Sequence, residues 1–225
     1  MLDSVFINHV WIATGVWALL YCSDYALTLA CARMYRAGVD KHLVFKHLEL
    51  TPYYQKDIAE LRVFSPRFVL MLGLTSGIIW LTGSLQGWLG GSWPLPPNWA
   101  QNFYRFLLGG LLLMEAAVHV RHVRNVGLFL YARDSRGIQG RLVYSPWLSY
   151  RSSAIELFGF AAVFLMSFLV TSSWFFAGGA FKCIVEGAKH WRLSGREQVA
   201  PEVSEATTTS GHATQEATQH KASDV

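Results

Sequence analysis

Residues 66–88 read PRFVLMLGLTSGIIWLTGSLQGW, and their one charged residue, Arg67, stands at the start. Wound as a helix at about 1.5 Å per residue, such a stretch matches a hydrocarbon core of roughly 30 Å. Its ends are marked. Ser65-Pro66 supplies a capping residue followed by proline at the first helical position. Gly90-Gly91 and then Pro94, Pro96 and Pro97 close it, with Trp93 and Trp99 in the same short connection. That connection reads as a hairpin at a membrane surface, where tryptophan is enriched.

Three further runs of the same kind surround this one. Upstream, 5–32 carries Asp24 and His9 as its ionisable residues and is followed by Arg33 and Arg36. It is too long for a signal-peptide core and no Lys or Arg precedes it, so an uncleaved first span with its amino end outside is expected. Downstream, 102–121 is apolar through Ala117 before turning basic, and 152–177 follows another Ser-Pro start at Ser145-Pro146. The expected fold is therefore all-α: an integral membrane protein with four transmembrane helices in an up-down bundle. Residues 1–194 form the transmembrane domain. Two interfacial helices are expected, one over 51–64 in the first loop (Thr51-Pro52, then Tyr54, Ile58 and Leu61 at helical spacing) and one over 180–192. From 195 to 225 the chain is rich in Ser, Thr, Ala, Glu and Gln, and a disordered tail is expected.

Composition agrees. Hydrophobic residues make up 52% and charged residues 15%, which excludes an ordinary soluble domain. The net charge of +4 lies in loops flanking spans, so it points to lipid headgroups and not to nucleic acid. Arg33, Arg36, Lys41, Lys46, Lys56, Arg62 and Arg67 mark the first loop; Arg121, Arg124, Arg133, Arg136, Arg141 and Arg151 mark the third. The hairpin between spans two and three holds no Lys or Arg. Both basic loops are expected on the cytoplasmic side of a plasma or inner membrane, with both termini outside. Lys182, Lys189, Arg192 and Arg196 run against that rule, because they would then lie outside.

Chemistry is sought in the ionisable residues within the spans, because burying them in lipid is costly. Asp24, Glu115 and Glu156 fall about 13, 9 and 7 Å from the inner boundary when Arg33, Arg121 and Arg151 mark it. Glu115, His119 and His122 share one face of a helix at i, i+4, i+7, and Arg121 and Arg124 point the opposite way. Asp24, Glu115, Glu156 and His119 are thus expected to converge in a polar cavity in the cytoplasmic half of the bundle, as a site for a proton or cation. Glu115, His119 and His122 also offer the donor types of a divalent metal site. The plainer reading is that these carboxylates pair with nearby arginines and only lock the helices together. Gly73, Gly77, Ser84 and Gly87 form a small-residue face on the second span, expected to let a helix approach closely.

Several classes are excluded by their motifs: there is no P-loop, no G-x-S-x-G, no H-E-x-x-H and no dinucleotide fingerprint. Cys22, Cys31 and Cys183 have no CxxC spacing. Spans two and four lack histidine, which excludes haem held across a four-helix bundle. Three functions remain: a small cation- or proton-handling protein (transporter, channel or sensor), a membrane-embedded metal or redox enzyme, and a non-catalytic subunit of a membrane complex. The partners expected are the lipid bilayer and a second copy or a membrane-complex subunit.

Overall fold

The computed structural model describes the backbone of residues 2–46, 50–51, 53–89, 98–133 and 140–220, with side chains over 5–46, 50–51, 53–86, 98–133 and 140–197. The chain enters through α1 (Leu2–Asn8), which breaks at His9 and continues as α2 (Val10–Arg36). A 3₁₀ turn, Val39–Lys41, leads to β1 (Leu43–Phe45), and α3 (Gln55–Ala59) precedes α4 (Pro66–Leu89). Then come α5 (Trp99–Arg133), β2 (Leu142–Tyr144), α6 (Pro146–Thr171) and α7 (Trp174–His220). Four of these helices, α2, α4, α5 and α6, contain a segment long and apolar enough to cross a membrane. The all-α class and the four apolar runs expected from the sequence are present.

α5 is the central helix, touching α2, α4 and α7, and α6 packs chiefly on α7. α2 and α5 run parallel, while α4 runs antiparallel to both. Trp17 donates its indole N–H to Thr75 Oγ1 at 2.8 Å, Tyr25 stacks on Phe68 at 4.5 Å, and Gln86 donates to the Ile7 carbonyl at 3.1 Å. Between these helices lie Ala13, Trp17, Ile79, Tyr104, Leu108 and Leu112, all buried. The close approach on α4 is at Gly83, where a Cβ would press into the Val10 and Tyr104 side chains. This corrects the small-face expectation. Gly73, Gly77 and Ser84 are exposed, and nothing lies within 4 Å of a Cβ built on Gly73 or Gly77. Gly87 falls outside the residues whose side-chain surroundings are described.

The two basic loops are joined. β1 and β2 pair in parallel, Leu43 with Leu142 and Phe45 with Tyr144, over a cluster of Cys31, Val39, Phe129 and Ala132. Leu-Val-Phe and Leu-Val-Tyr are β-favouring triplets, too short to stand out among so many apolar residues. In the first loop the expected helix over 51–64 is shorter. α3 ends where Leu61 takes φ 53°, and buried Asp57 accepts hydrogen bonds from Ser65 Oγ at 2.5 Å and Arg62 at 3.5 Å. Those bonds draw the chain back toward α4. Ile58 packs against Tyr25, Leu29 and Ala32, so this segment covers α2.

The largest departure is at α7. Residues 180–192 do not form a separate surface helix; they belong to α7, which lies along both α5 and α6. Ser172, in the left-handed region with φ 53° and ψ 22°, ends α6, and its N–H bonds to the Phe168 carbonyl at 2.7 Å. The chain then reverses at once. Ser153 lies 2.7 Å from His190 Nδ1, and the Arg151 guanidinium sits over the Trp191 ring at 3.1 Å, so α6 and α7 are antiparallel along their length. Against α5 the run is parallel. A Cβ on Gly109 would fall on the Phe175 carbonyl, one on Gly178 would fall on the Phe106 carbonyl, and the Cys183 sulfur reaches Met114 at 3.9 Å. Gly178-Gly179 is the flat face that lets two helix backbones touch. The helix continues to His220, through the stretch expected to be a disordered tail.

Candidate functional site

The parallel run of α2 and α5 sets residues 23–28 beside residues 115–122. Asp24 Oδ1 lies 2.6 Å from His122 Nε2, and Thr28 Oγ1 lies 3.4 Å from the same nitrogen. One position along, Ser23 Oγ lies 2.7 Å from His119 Nε2. His119 Nδ1 lies 2.7 Å from the Glu115 carbonyl oxygen four residues earlier. A carbonyl can only accept, so Nδ1 of His119 carries hydrogen. The two imidazole rings sit 6.4 Å apart and nearly perpendicular.

Two polar atoms in this layer have no hydrogen-bond partner among the described residues, Glu115 Oε2 and His122 Nδ1, and both are buried. Unmet polar atoms inside a packed protein each cost about 1–3 kcal/mol and are uncommon. Here they occur within two helical turns of each other on one face of α5. His122 as a whole is 9% exposed.

Of the residues expected to converge, Asp24, Glu115 and His119 share this seam together with His122. Glu156 does not join them. It lies on the far side of α5, where Arg121 Nε reaches it at 3.2 Å and Arg124 forms a second ion pair with it. The expected divalent-metal set also does not form. Both nitrogens of His119 are engaged by Ser23 and a backbone carbonyl, and among the described residues no three His, Cys, Asp or Glu side chains gather closely enough to hold a metal ion.

Sequence reasoning missed Ser23. Ser23 adjoins Asp24, and adjacency on a helix does not normally bring two side chains to one partner; here they serve different histidines one turn apart. Thr28 falls on the polar stripe of α2, four residues after Asp24, and lies near His122. Away from the seam, Glu186 binds Lys182 at 2.9 Å and Lys189 at 3.1 Å. Comparison with protein families, with characterised proteins and with solved structures finds no match for this chain.

Proposed function

We propose that this is a multi-pass membrane protein that takes up and releases a proton in the seam between α2 and α5. The observation that carries this reading is the buried, unpartnered Glu115 carboxyl oxygen beside the Asp24–His122 pair, with His119 between them on the same face. A carboxylate at such depth costs a few kcal/mol if it stays ionised and unpaired, so it holds a proton or exchanges one. The other polar groups of the seam bond to His, Ser and Thr, which donate and accept, and among the described residues neither a Lys nor an Arg is hydrogen-bonded to Asp24 or His119. A proton suits the seam better than a metal ion for the reasons of geometry given above.

The same reading assigns the topology. α2, α4, α5 and α6 cross the bilayer, with both basic loops on the cytoplasmic face of a plasma or inner membrane. α7 follows α6 back and makes a fifth crossing. Three of its charges close among themselves through Glu186, and its glycines seat it against α5, so it crosses as part of the bundle although its own composition is too polar to cross alone. Lys189, Arg192 and Arg196 then reach the cytoplasmic face with the other basic residues. The conflict in the charge rule disappears, and the carboxyl end moves inside while the amino end stays outside.

The test is proton flux. Purified protein in liposomes loaded with a pH-sensitive dye should pass protons when a potassium–valinomycin potential is applied, and Asp24→Asn should lower the rate at least tenfold. Equal rates in the variant and the parent would remove the reading. One observation favours a second reading, that of an accessory subunit: the closed pairs at Glu156 and Glu186 are packing devices. Co-purification of a stoichiometric membrane partner in mild detergent, with no flux in liposomes, would give that reading precedence.

A further inference from the structure

We infer that His119 is the group that accepts the proton in this seam, and that the Ser23 hydroxyl is a two-position rotor that keeps both protonation states of the ring hydrogen-bonded. The inference deepens the proton-handling reading and rests on it.

The geometry around His119 is complete in either state. Ser23 Oγ lies within bonding distance of two groups, His119 Nε2 at 2.7 Å and the Leu20 carbonyl at 2.9 Å, and it has one hydrogen to give. With the ring neutral, Nδ1–H donates to the Glu115 carbonyl and Ser23 O–H donates to Nε2. When a proton from solvent binds Nε2, the new N–H donates to Ser23 Oγ. The hydroxyl hydrogen then turns about the Cβ–Oγ bond to the Leu20 carbonyl. One N–H bond forms as an O–H bond of a hydronium ion breaks and leaves water, and no heavy atom of the protein has to move.

His122 is built the opposite way. Its Nε2 is committed to Asp24 at 2.6 Å, and its Nδ1 is buried with no partner. The Cys31 thiol stands by this ring, and sulfur is only a weak acceptor for a proton added to Nδ1. Between two histidines on one face, the fold gives one a hydroxyl that can serve both of its states and ties the other to a carboxylate. The charged and titratable groups around His119 are few. α5 itself contributes Glu115 and His122, and α2 contributes Asp24, the Tyr21 phenol, which bonds to Tyr54, and the Cys31 thiol by His122. α7 brings the Lys182 stem to Gly110, one turn or so before Glu115, with its ammonium on Glu186. α4 brings none of its own, since Arg67 bonds to the Tyr53 carbonyl in the loop, and in α3 Asp57 is held by Ser65 and Arg62.

The test is nitrogen-15 NMR of full-length, histidine-labelled protein in lipid nanodiscs, with His119→Gln used to assign the signal. In mildly alkaline buffer His119 should be the Nδ1–H tautomer, the minor one for a free histidine side chain. In mildly acidic buffer both its nitrogens should carry hydrogen. Ser23→Ala should deplete the cationic form about tenfold at the acidic condition, because a charged donor loses more than a neutral acceptor when its partner is removed. Ser23→Thr, which keeps the hydroxyl, should restore it. An Nε2–H tautomer in the parent protein would overturn the inference without any variant. An unchanged cationic fraction in Ser23→Ala would also overturn it. Proton flux in liposomes with either of these results would show that the seam works but not through His119. The expected spectra with no flux would leave the rotor standing and end the transport reading.

Discussion

α5 has two seams, and they treat buried charge in different ways. Toward α2, Asp24, Glu115, His119 and His122 meet among hydroxyls, with one carboxyl oxygen and one ring nitrogen left unpartnered. Toward α6 and α7, Glu156 is held by two arginines and Glu186 by two lysines, and glycines bring backbones into contact. Two cations on one carboxylate fix its charge and its position. A carboxylate among histidines and hydroxyls keeps its proton exchangeable. The two seams thus surround their carboxylates with different partners.

That contrast breaks first if α7 does not cross. In a cysteine-free background, single cysteines at Gly140 and Ser210 should be shielded from an impermeant thiol reagent in intact cells, and one at Ser92 should react. Labelling at Ser210 from outside would return α7 to the membrane surface and dissolve the second seam. The next largest effect tests its tightness. Gly178→Leu should destabilise the protein by about 3 kcal/mol, because the side chain would meet the Phe106 carbonyl and a packed backbone cannot yield cheaply. Gly77→Leu should change the melting temperature little, having open space around it. Equal losses in a detergent melt would mean that the two glycines are packed alike. The smallest effect lies at the α2–α4 contact: Trp17→Phe should cost about 1 kcal/mol by removing one hydrogen bond to Thr75. A neutral result would leave that bond without weight in holding the α2 side together.

The four apolar helices were legible because twenty apolar residues in a row have few other uses. Asp24, Glu115, His119 and His122 were legible as unusual, and the face on α5 followed from helical spacing. Partnership was not. Nothing in the spacing of Glu156 says whether it faces Asp24 or Arg121, since that depends on how α6 is placed about α5. α7 was misread for a physical reason: Lys182, Glu186 and Lys189 lower its hydropathy, and only the fold shows that these charges close on one another. The α4 glycines were misread because a stripe of small residues allows close approach without requiring it. Ser23 escaped notice because a serine beside an aspartate in an apolar helix carries no signal until its partner across the seam is known.

The measurement that bears most directly on the two-seam account sets Glu115→Gln against Glu156→Gln in the same preparations, with proton flux per folded protein and melting temperature both recorded. Glu115→Gln should abolish flux while the melting temperature holds, because the replacement is isosteric and the parent oxygen has no bond to lose. Glu156→Gln should lower stability by about 1–2 kcal/mol, since two arginines lose a partly exposed partner, and flux per folded molecule should persist. If Glu156→Gln stops the flux and Glu115→Gln does not, the roles of the seams are reversed and the account is wrong.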